Sequence, residues 1–225
     1  MKTVGIVLAG GSGRRMGAGI EKQYLPVKGY PVLYYSLLAM QQSFLDEIVL
    51  VAGADRLTYC REEIVERYHF TKVKKIVAGG AERYDSVKNA LDAIEEADYV
   101  FIHDGARPCL DAGILLRGLE KVKETNACVA AVRSKDTVKI VDENGRIEYT
   151  PARESVWNVQ TPQVFAFRLV RDAYRALQDA DQSGITDDAM VVERFGSVPV
   201  YVYEGSYRNV KITTPEDLAA VENYL

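Results

Sequence analysis

Glycines and basic side chains are concentrated directly after the first apolar run of the chain. Residues 8–17 read Leu-Ala-Gly-Gly-Ser-Gly-Arg-Arg-Met-Gly, and Lys22 follows. Glycines let backbone N–H groups point at anionic oxygens, and Arg15 and Lys22 would add full positive charges. The pattern predicts a phosphate-binding loop, with an ordinary turn carrying solvated basic residues as the alternative. A dinucleotide-binding fingerprint would need glycine at Met16, and a Walker A motif would need Gly-Lys-Ser/Thr around Lys22.

Two more segments carry residues that suit a nucleotide at the end of a predicted strand. Gly79 and Gly80 open a helical segment, where the backbone could reach a nucleobase edge and Ser86 could supply a hydroxyl. A turn in which Ser86 caps its helix explains the same residues nearly as well. Asp104 ends another strand, and Mg²⁺ prefers one or two carboxylates together with phosphate oxygens and water. Asp104 is therefore a candidate magnesium ligand, with a loop brace to Arg107 as the alternative.

The charged residues farther along the chain are weaker candidates. Arg153 and Lys211 could each hold a second anion, although a surface position explains either of them in isolation. Asp187 and Asp188 fit the first turn of a helix better than a metal site, because acidic groups are favourable at a helix N-terminus. His103 lies at a strand end and is expected to be structural.

The segments between these residues alternate between strand-like and helix-like patterns. Such alternation is typical of βαβ units that form a mainly parallel sheet flanked by helices, so the predicted fold class is α/β. Six apolar runs predict buried strands, at Val4–Leu8, Ile48–Ala52, Val73–Ala78, Tyr99–His103, Cys128–Val132 and Val198–Tyr203. Three helical faces are predicted from Leu33, Leu37, Met40 and Phe44, from Val87, Ala90, Leu91 and Ile94, and from Leu115, Leu119 and Val122. Thr214 and Pro215 predict the start of a last helix that runs to about Tyr224.

Residues 136–156 interrupt the alternation with a predicted β-hairpin arm. Two strand-like segments, Thr137–Val141 and Ile147–Pro151, flank an Asn144-Gly145 pair, which is a strong hairpin-turn signal. An isolated two-stranded hairpin is only marginally stable in water. We therefore expect the protruding arm to pack against a second subunit, which makes a homodimer the working hypothesis.

Composition excludes several classes of protein. The length of 225 residues favours a single domain, 1–225, that includes the arm. The 28 basic and 32 acidic residues give a net charge of −4, and no basic block is present, which argues against a nucleic-acid or membrane-surface partner. No apolar run approaches the length of a membrane span. The three cysteines lack metal or disulfide spacing and the N-terminal apolar run is too short for a signal peptide, so we expect a cytoplasmic location.

Taken in order, eight segments closely resemble the 2-C-methyl-D-erythritol 4-phosphate cytidylyltransferase family over the whole chain. They are Leu-Ala-Gly-Gly-Ser-Gly-Arg-Arg-Met (8–16), Lys-Gln-Tyr (22–24), Gly-Gly-Ala-Glu-Arg-Tyr-Asp-Ser-Val (79–87), His-Asp-Gly-Ala-Arg-Pro (103–108), Asp-Thr-Val-Lys (136–139), Gln-Thr-Pro-Gln-Val-Phe (160–165), Thr-Asp-Asp-Ala (186–189) and Asn-Val-Lys-Ile-Thr-Thr-Pro-Glu-Asp-Leu (209–218). The resemblance implies a Rossmann-like nucleotidyltransferase fold, a β-arm that exchanges contacts in a homodimer, and a role in the non-mevalonate route to isoprenoid precursors.

The resemblance also implies a role for each matching residue. The catalytic set it implies is Arg15, Lys22, Arg153 and Lys211. The implied nucleotide-binding set is Ala9, Gly10, Gly11, Gly13, Lys22, Gly79, Gly80, Ser86, Asp104 and Gly105, in which Gly79, Gly80 and Ser86 would meet cytosine. The implied contacts of the acceptor sugar phosphate are Thr137, Arg153, Thr161 and Lys211. Asp104 would orient Mg²⁺, and Asn209 could approach the metal.

This sequence departs from the family pattern at three positions. Gly10 and Gly105 replace alanines that are often seen there, and Glu21 replaces a proline before the lysine. Glu21 brings a negative charge near the expected triphosphate site, so it would weaken nucleotide binding if its side chain turned inward.

The reaction implied is transfer of CMP from CTP to 2-C-methyl-D-erythritol 4-phosphate, with release of pyrophosphate. Three alternative functions compete with this one. A ribitol 5-phosphate cytidylyltransferase shares the glycine loop and the Thr-Pro-Gln stretch, whereas Trp157 and the Thr-Asp-Asp-Ala segment favour the methylerythritol enzyme. A non-catalytic nucleotide-binding protein would have little reason to keep all four cations of the catalytic set. An NAD-dependent oxidoreductase is opposed by Met16.

Overall fold

The computed structural model describes residues 1–11 and 21–225. Within them, seven strands form one sheet in the spatial order β11-β7-β10-β6-β1-β4-β5. Its strands are β1 (Thr3–Ala9), β4 (Glu47–Ala52), β5 (Val73–Ala78), β6 (Tyr99–Asp104), β7 (Ala127–Arg133), β10 (Trp157–Ala166) and β11 (Tyr201–Glu204). The strands β6, β1, β4 and β5 pair in parallel, as does β11 with β7. The prediction of an α/β fold with a mainly parallel sheet is confirmed.

The strand β10 is the main difference from the sequence prediction. It runs antiparallel between β6 and β7, and its register shifts between Val159 and Gln163. None of the predicted strands covers residues 157–166, where Pro162 cannot donate to a strand ladder. The structure accommodates Pro162 at this irregularity, which is where a proline is tolerated inside a strand.

Helices cover both faces of the sheet. Their bounds are α1 (Val32–Gln41), α2 (Leu57–Tyr59) continued by a π-helical segment (Cys60–Glu66), α3 (Arg83–Ala93), α4 (Ala112–Thr125), α5 (Phe167–Gln178), α6 (Asp188–Phe195) and α7 (Pro215–Glu222). The helices α1 and α4 pack with the segment 60–70 on one face, and α3, α5 and α6 pack on the other. The predicted helical faces lie in these cores, although Phe44 and Ile94 follow the ends of α1 and α3. The last helix ends at Glu222, two residues before the predicted Tyr224.

Two short hairpins stand outside the main sheet. The first pairs β2 (Pro26–Val27) with β3 (Tyr30–Pro31) and leads into α1. The second pairs β8 (Ile140–Val141) with β9 (Ile147–Tyr149), and Gly145 adopts a φ of +80° in its turn. Its apolar side chains are exposed to solvent, Tyr149 by 57%. The predicted hairpin arm is therefore present, with an uncovered apolar surface.

No helix in the described parts of the chain is both long enough and apolar enough to span a bilayer.

Candidate active site

The carboxyl ends of four neighbouring parallel strands meet at one edge of the sheet. Leu8 of β1 pairs in register with Asp104 of β6, Ala9 pairs with Ala52 of β4, and Ala52 pairs with Ala78 of β5. The residues that follow these strand ends are therefore neighbours in space, although they are far apart in the sequence. Ligands of open α/β sheets bind at such an edge.

The two glycine segments contact each other across the end of β4. The Gly79 N–H donates to the Ala52 carbonyl at 2.8 Å. A Cβ atom added to Gly10 would lie 3.5 Å from the Gly79 Cα. A Cβ on Gly80 would lie 2.2 Å from the Cβ of Asp85, a distance that no side chain can occupy. The two glycine segments therefore lie next to each other, and neither Gly10 nor Gly79 has a side chain between their backbones.

The Ser86 hydroxyl shapes the second glycine segment. It accepts a hydrogen bond from the Gly80 N–H at 3.0 Å and donates to the Glu82 carbonyl at 3.2 Å. The alternative in which Ser86 caps its helix is wrong in position, because α3 begins at Arg83 and its cap residue is Glu82. A bound base would meet a loop whose conformation this hydroxyl already holds.

Lys22 lies in a short 3₁₀ turn, Lys22–Tyr24, that is attached to the end of β1. The buried Gln23 amide donates to the carbonyls of Ala9, at 2.7 Å, and Gly11, at 3.0 Å. The side chain of Gln23 thus ties the turn to the first glycine segment. The predicted site residues Gly13 and Arg15 lie outside the described residues.

Asp104 is surrounded by three cationic side chains. Its Oδ2 lies 2.8 Å from Lys211 Nζ and 3.7 Å from Arg107 Nε, and its Oδ1 lies 3.4 Å from Arg83 Nε. Burial favours the neutral carboxyl, but the positive charges of Arg83, Lys211 and Arg107 outweigh it and hold the pKa of Asp104 well below its usual range. The carboxylate is therefore ionised at physiological pH. The loop-brace contact with Arg107 is present beside the two other cations.

A buried chain of hydrogen bonds supports the backbone of Asp104. The Asp104 N–H donates to Thr161 Oγ1 at 3.1 Å, and Thr161 Oγ1 lies 2.9 Å from His103 Nδ1. Because His103 Nε2 faces the Arg107 carbonyl at 3.1 Å, it must carry the ring proton, and Thr161 donates to Nδ1. Burial lowers the pKa of His103 to about 4, so the ring stays neutral. Thr161 is 4% exposed, and its hydroxyl is engaged in this chain.

Arg83 lies in the segment 79–87, which resembles the family, but the sequence predicts no role for it. Its guanidinium donates two hydrogen bonds of 2.8 Å to Asp188, whose side chain is fully buried and also accepts from the Tyr174 hydroxyl. Arg83 therefore joins Asp104 to the start of α6. Asp187 caps that helix by accepting from the Met190 N–H at 2.9 Å, as the helix-start interpretation predicts. The density of arginine and aspartate in the quoted motifs was the signal for this network.

Other predicted residues lie at the margins of the site. The Gly105 N–H donates to the Leu8 carbonyl at 2.9 Å, so the backbone after β6 lies against the end of β1. Arg153 and Thr137 lie at the base of the arm and contact each other, Arg153 Nη2 donating to Thr137 Oγ1 at 2.9 Å. The structure thus places Lys211 at Asp104 and places Arg153 with Thr137.

The residues around Asp104 suit an oxygen-seeking cation. Asn209 is fully buried; its amide nitrogen donates to the Thr161 carbonyl at 2.7 Å, and its Oδ1 has no hydrogen-bond partner in residues 1–11 and 21–225. The Arg107 Nη1 donates to the Asn209 carbonyl at 2.8 Å, so Asn209 and Asp104 share both Arg107 and Thr161 as neighbours. Mg²⁺ takes few protein ligands and completes its shell with phosphate oxygens and water. The ionised Asp104 carboxylate and the unpaired amide oxygen of Asn209 are donors of that kind, although Lys211, Arg83 and Arg107 also pair with the carboxylate. The described residues hold no cluster of three His, Cys, Asp or Glu side chains.

By its sheet topology and the position of its glycine segments, the chain is an α/β protein of the nucleotide-binding class. A family model described as IspD, 2-C-methyl-D-erythritol 4-phosphate cytidylyltransferase, matches residues 3–225. The chain belongs to this family.

Named relatives and solved structures agree with that assignment. A protein from Lachnoclostridium phytofermentans with the family's name is 46% identical over 224 residues, covering 100% of this chain and 96% of the relative. One from Lachnospira eligens is 48% identical over 215 residues, covering 95% and 94%. The crystal structure of 4-diphosphocytidyl-2C-methyl-D-erythritol synthase from Anaerococcus prevotii superposes with a TM-score of 0.88 at 32% identity, covering 99% of this chain and 95% of that one.

Proposed function

We propose that the protein transfers CMP from CTP to 2-C-methyl-D-erythritol 4-phosphate, forming 4-diphosphocytidyl-2-C-methyl-D-erythritol and pyrophosphate. A phosphate oxygen of the acceptor forms a new bond to the α-phosphorus of CTP, and the bond from that phosphorus to the oxygen bridging to the β-phosphate breaks. The bond's electron pair leaves with pyrophosphate. Membership of the family supports the activity, and the geometry around Asp104 supports the site.

The reaction needs no general base. A phosphate monoester carries a charge of about −1.5 to −2 near pH 7, so the attacking oxygen is already deprotonated. The buried His103 is neutral, and both of its ring nitrogens are engaged, which suits a supporting role. The obstacle is repulsion between two polyanions, which fixed cations and positioning overcome.

The main support for this activity in the structure is the cluster of cations around Asp104, at the sheet edge lined by glycines. Arg83, Arg107 and Lys211 surround this one carboxylate, and with Asp188 the cluster holds three positive and two negative side chains. The net positive charge suits phosphate oxygens. Lys211 is held at 2.8 Å from Asp104, from where its ammonium can meet the acceptor phosphate.

We propose the following division of roles at the site. CTP would lie along Ala9, Gly10, Gly11, Gly13 and Gly105 with its base at Gly79, Gly80 and Ser86, its triphosphate at Arg15 and Lys22, and the acceptor phosphate at Arg153 and Lys211. Asp104 and Asn209 would hold Mg²⁺, which when bound offsets the negative charge of the triphosphate oxygens. Thr161 would act through Asp104 and His103, because its hydroxyl is occupied by them.

We propose further that two chains associate through the arm. Ile140, Val141, Ile147 and Tyr149 expose between 37% and 57% of their surface on a hairpin that packs little of its apolar surface within its own chain. In the proposed association, one subunit's Arg153 and Thr137, at the base of the arm, would contribute to the other subunit's site. Sedimentation velocity of the wild type and of a Val141→Asp variant tests this, since the variant should sediment as a monomer. A wild type that is monomeric at micromolar concentration would contradict the association.

The activity is tested by pyrophosphate release with CTP, UTP or ATP against each polyol phosphate. Release only with CTP and 2-C-methyl-D-erythritol 4-phosphate is the expected result. Equal release with ribitol 5-phosphate would favour the ribitol enzyme. Nucleotide binding without release for any acceptor would favour a non-catalytic nucleotide-binding protein. The expected cytoplasmic location stays a prediction.

A further inference from the structure

Glu21 directly precedes Lys22, the lysine proposed to bind the triphosphate, and the structure gives it a specific partner. Its carboxylate oxygens accept from Arg56, Oε1 from Nε at 3.1 Å and Oε2 from Nη2 at 3.0 Å. Such a two-point contact fixes the direction of both side chains as well as their separation. Glu21 is therefore paired with Arg56 through both of its carboxylate oxygens.

Arg56 is itself held by aromatic rings. Its guanidinium carbon lies 5.8 Å from the ring centre of Tyr24 and 6.0 Å from that of Tyr59. These two rings pack edge to face at 5.3 Å, and the Tyr24 hydroxyl lies 3.2 Å from Cys60 Sγ. Arg56 is thus a preorganised anchor on the segment that follows β4.

The residue on the other side of Lys22 is anchored as well. Gln23 donates to the carbonyls of Ala9 and Gly11, which belong to the first glycine segment. The Tyr24 N–H donates to the Glu21 carbonyl at 2.9 Å and closes the turn. Lys22 therefore lies between one residue tied to the segment after β4 and another tied to the end of β1.

We infer that Glu21 and Arg56 form a positioning pair that sets the backbone of Lys22 for binding the triphosphate of CTP. The inference rests on the proposed function in one respect, that Lys22 contacts the triphosphate. Burial opposes ionisation of Glu21, but the hydrogen bonds from Arg56 outweigh it and lower the pKa of the carboxyl, so the pair is intact at physiological pH.

Removing the charge of Glu21 distinguishes positioning from electrostatic repulsion, because the two hypotheses predict opposite changes in the affinity for CTP. If Glu21 merely repels the triphosphate, Glu21→Gln should tighten CTP binding, since it removes a negative charge and leaves Arg56 positive. If the pair positions Lys22, Glu21→Gln should weaken CTP binding about tenfold through lost preorganisation. Arg56→Ala should weaken it by a similar factor.

The experiment is calorimetric titration of the full chain with CTP and Mg²⁺, for the wild type, Glu21→Gln, Arg56→Ala, the double variant and Lys22→Ala. The double variant should bind no more weakly than the worse single variant, because both lose the same contact. In steady-state kinetics, Glu21→Gln and Arg56→Ala should leave the KM for the acceptor unchanged. The control is Glu63→Gln, which makes the same charge change in the exposed pair with Arg67 and should bind CTP as the wild type does.

Three results would contradict the inference that Glu21 and Arg56 position Lys22. The first is CTP binding by Glu21→Gln that is as tight as that of the wild type or tighter. The second is losses of the two single variants that add in the double variant, and the third is equal weakening of CTP binding by Glu63→Gln. Wild-type binding by Lys22→Ala would refute the proposed role of Lys22, and with it the pair. Weak binding by Lys22→Ala with undisturbed binding by Glu21→Gln would refute the pair alone.

Discussion

Replacing Arg83 with methionine removes the cation that pairs with the buried carboxylate of Asp188. Asp188 has no solvent exposure, and two of its hydrogen bonds, both 2.8 Å long, come from Arg83. Among residues 1–11 and 21–225, the variant would leave the carboxylate with the Tyr174 hydroxyl as its one side-chain donor. Breaking a buried ion pair by removing one partner costs about 3–5 kcal/mol, because an uncompensated charge remains in the interior. We expect the free energy of unfolding to fall by about that amount at pH 7.

The assay is urea unfolding followed by circular dichroism, with Arg67→Met as the matched control. Arg67 pairs with Glu63 on the surface, where both side chains are more than half exposed, so its loss should cost about 0–1 kcal/mol. If both variants lost the same free energy, the view that Asp188 depends on Arg83 would be refuted.

Three further outcomes are expected. Burial lowers the pKa of His103 to about 4, so the free energy of unfolding of the wild type should be at its full value above pH 6.5 and fall by about 3 kcal/mol by pH 4. Urea unfolding of His103→Gln should show little of this pH dependence. Arg153→Ala should raise the KM for the acceptor about 10- to 100-fold with kcat and the KM for CTP little changed, in steady-state kinetics; an unchanged acceptor KM would exclude the contact. Gly80→Ala should weaken CTP binding about tenfold by titration, because its Cβ would lie 2.2 Å from that of Asp85 and the loop must move; wild-type affinity would show that the base does not need this backbone.

Much of the fold could be predicted because local chemistry encodes it. Buried parallel strands need nearly continuous apolar runs, so β1, β4, β5, β6 and β7 were recognisable within a residue or two of their bounds. The strand β10 was not, since Pro162 cannot donate to a strand ladder and the strand is defined by its pairing with β6 and β7. An irregular register around a proline is settled by pairing partners that are distant in the sequence.

The sequence by itself determined the chemistry that the chain can offer: glycines after two strands, Asp104 after a third, and a supply of cations. It also determined the family, because the motifs occur in a fixed order along the whole chain. Only the tertiary structure decided which charges meet. Lys211 is 107 residues from Asp104, and Arg83 is 105 from Asp188, yet both pairs are 2.8 Å apart. Glu21 likewise turns from a suspected repulsive charge into the partner of Arg56, because the fold brings a cation to it. Side-chain pairing depends on the meeting of distant strand ends and helix starts, and residue type alone does not specify that meeting.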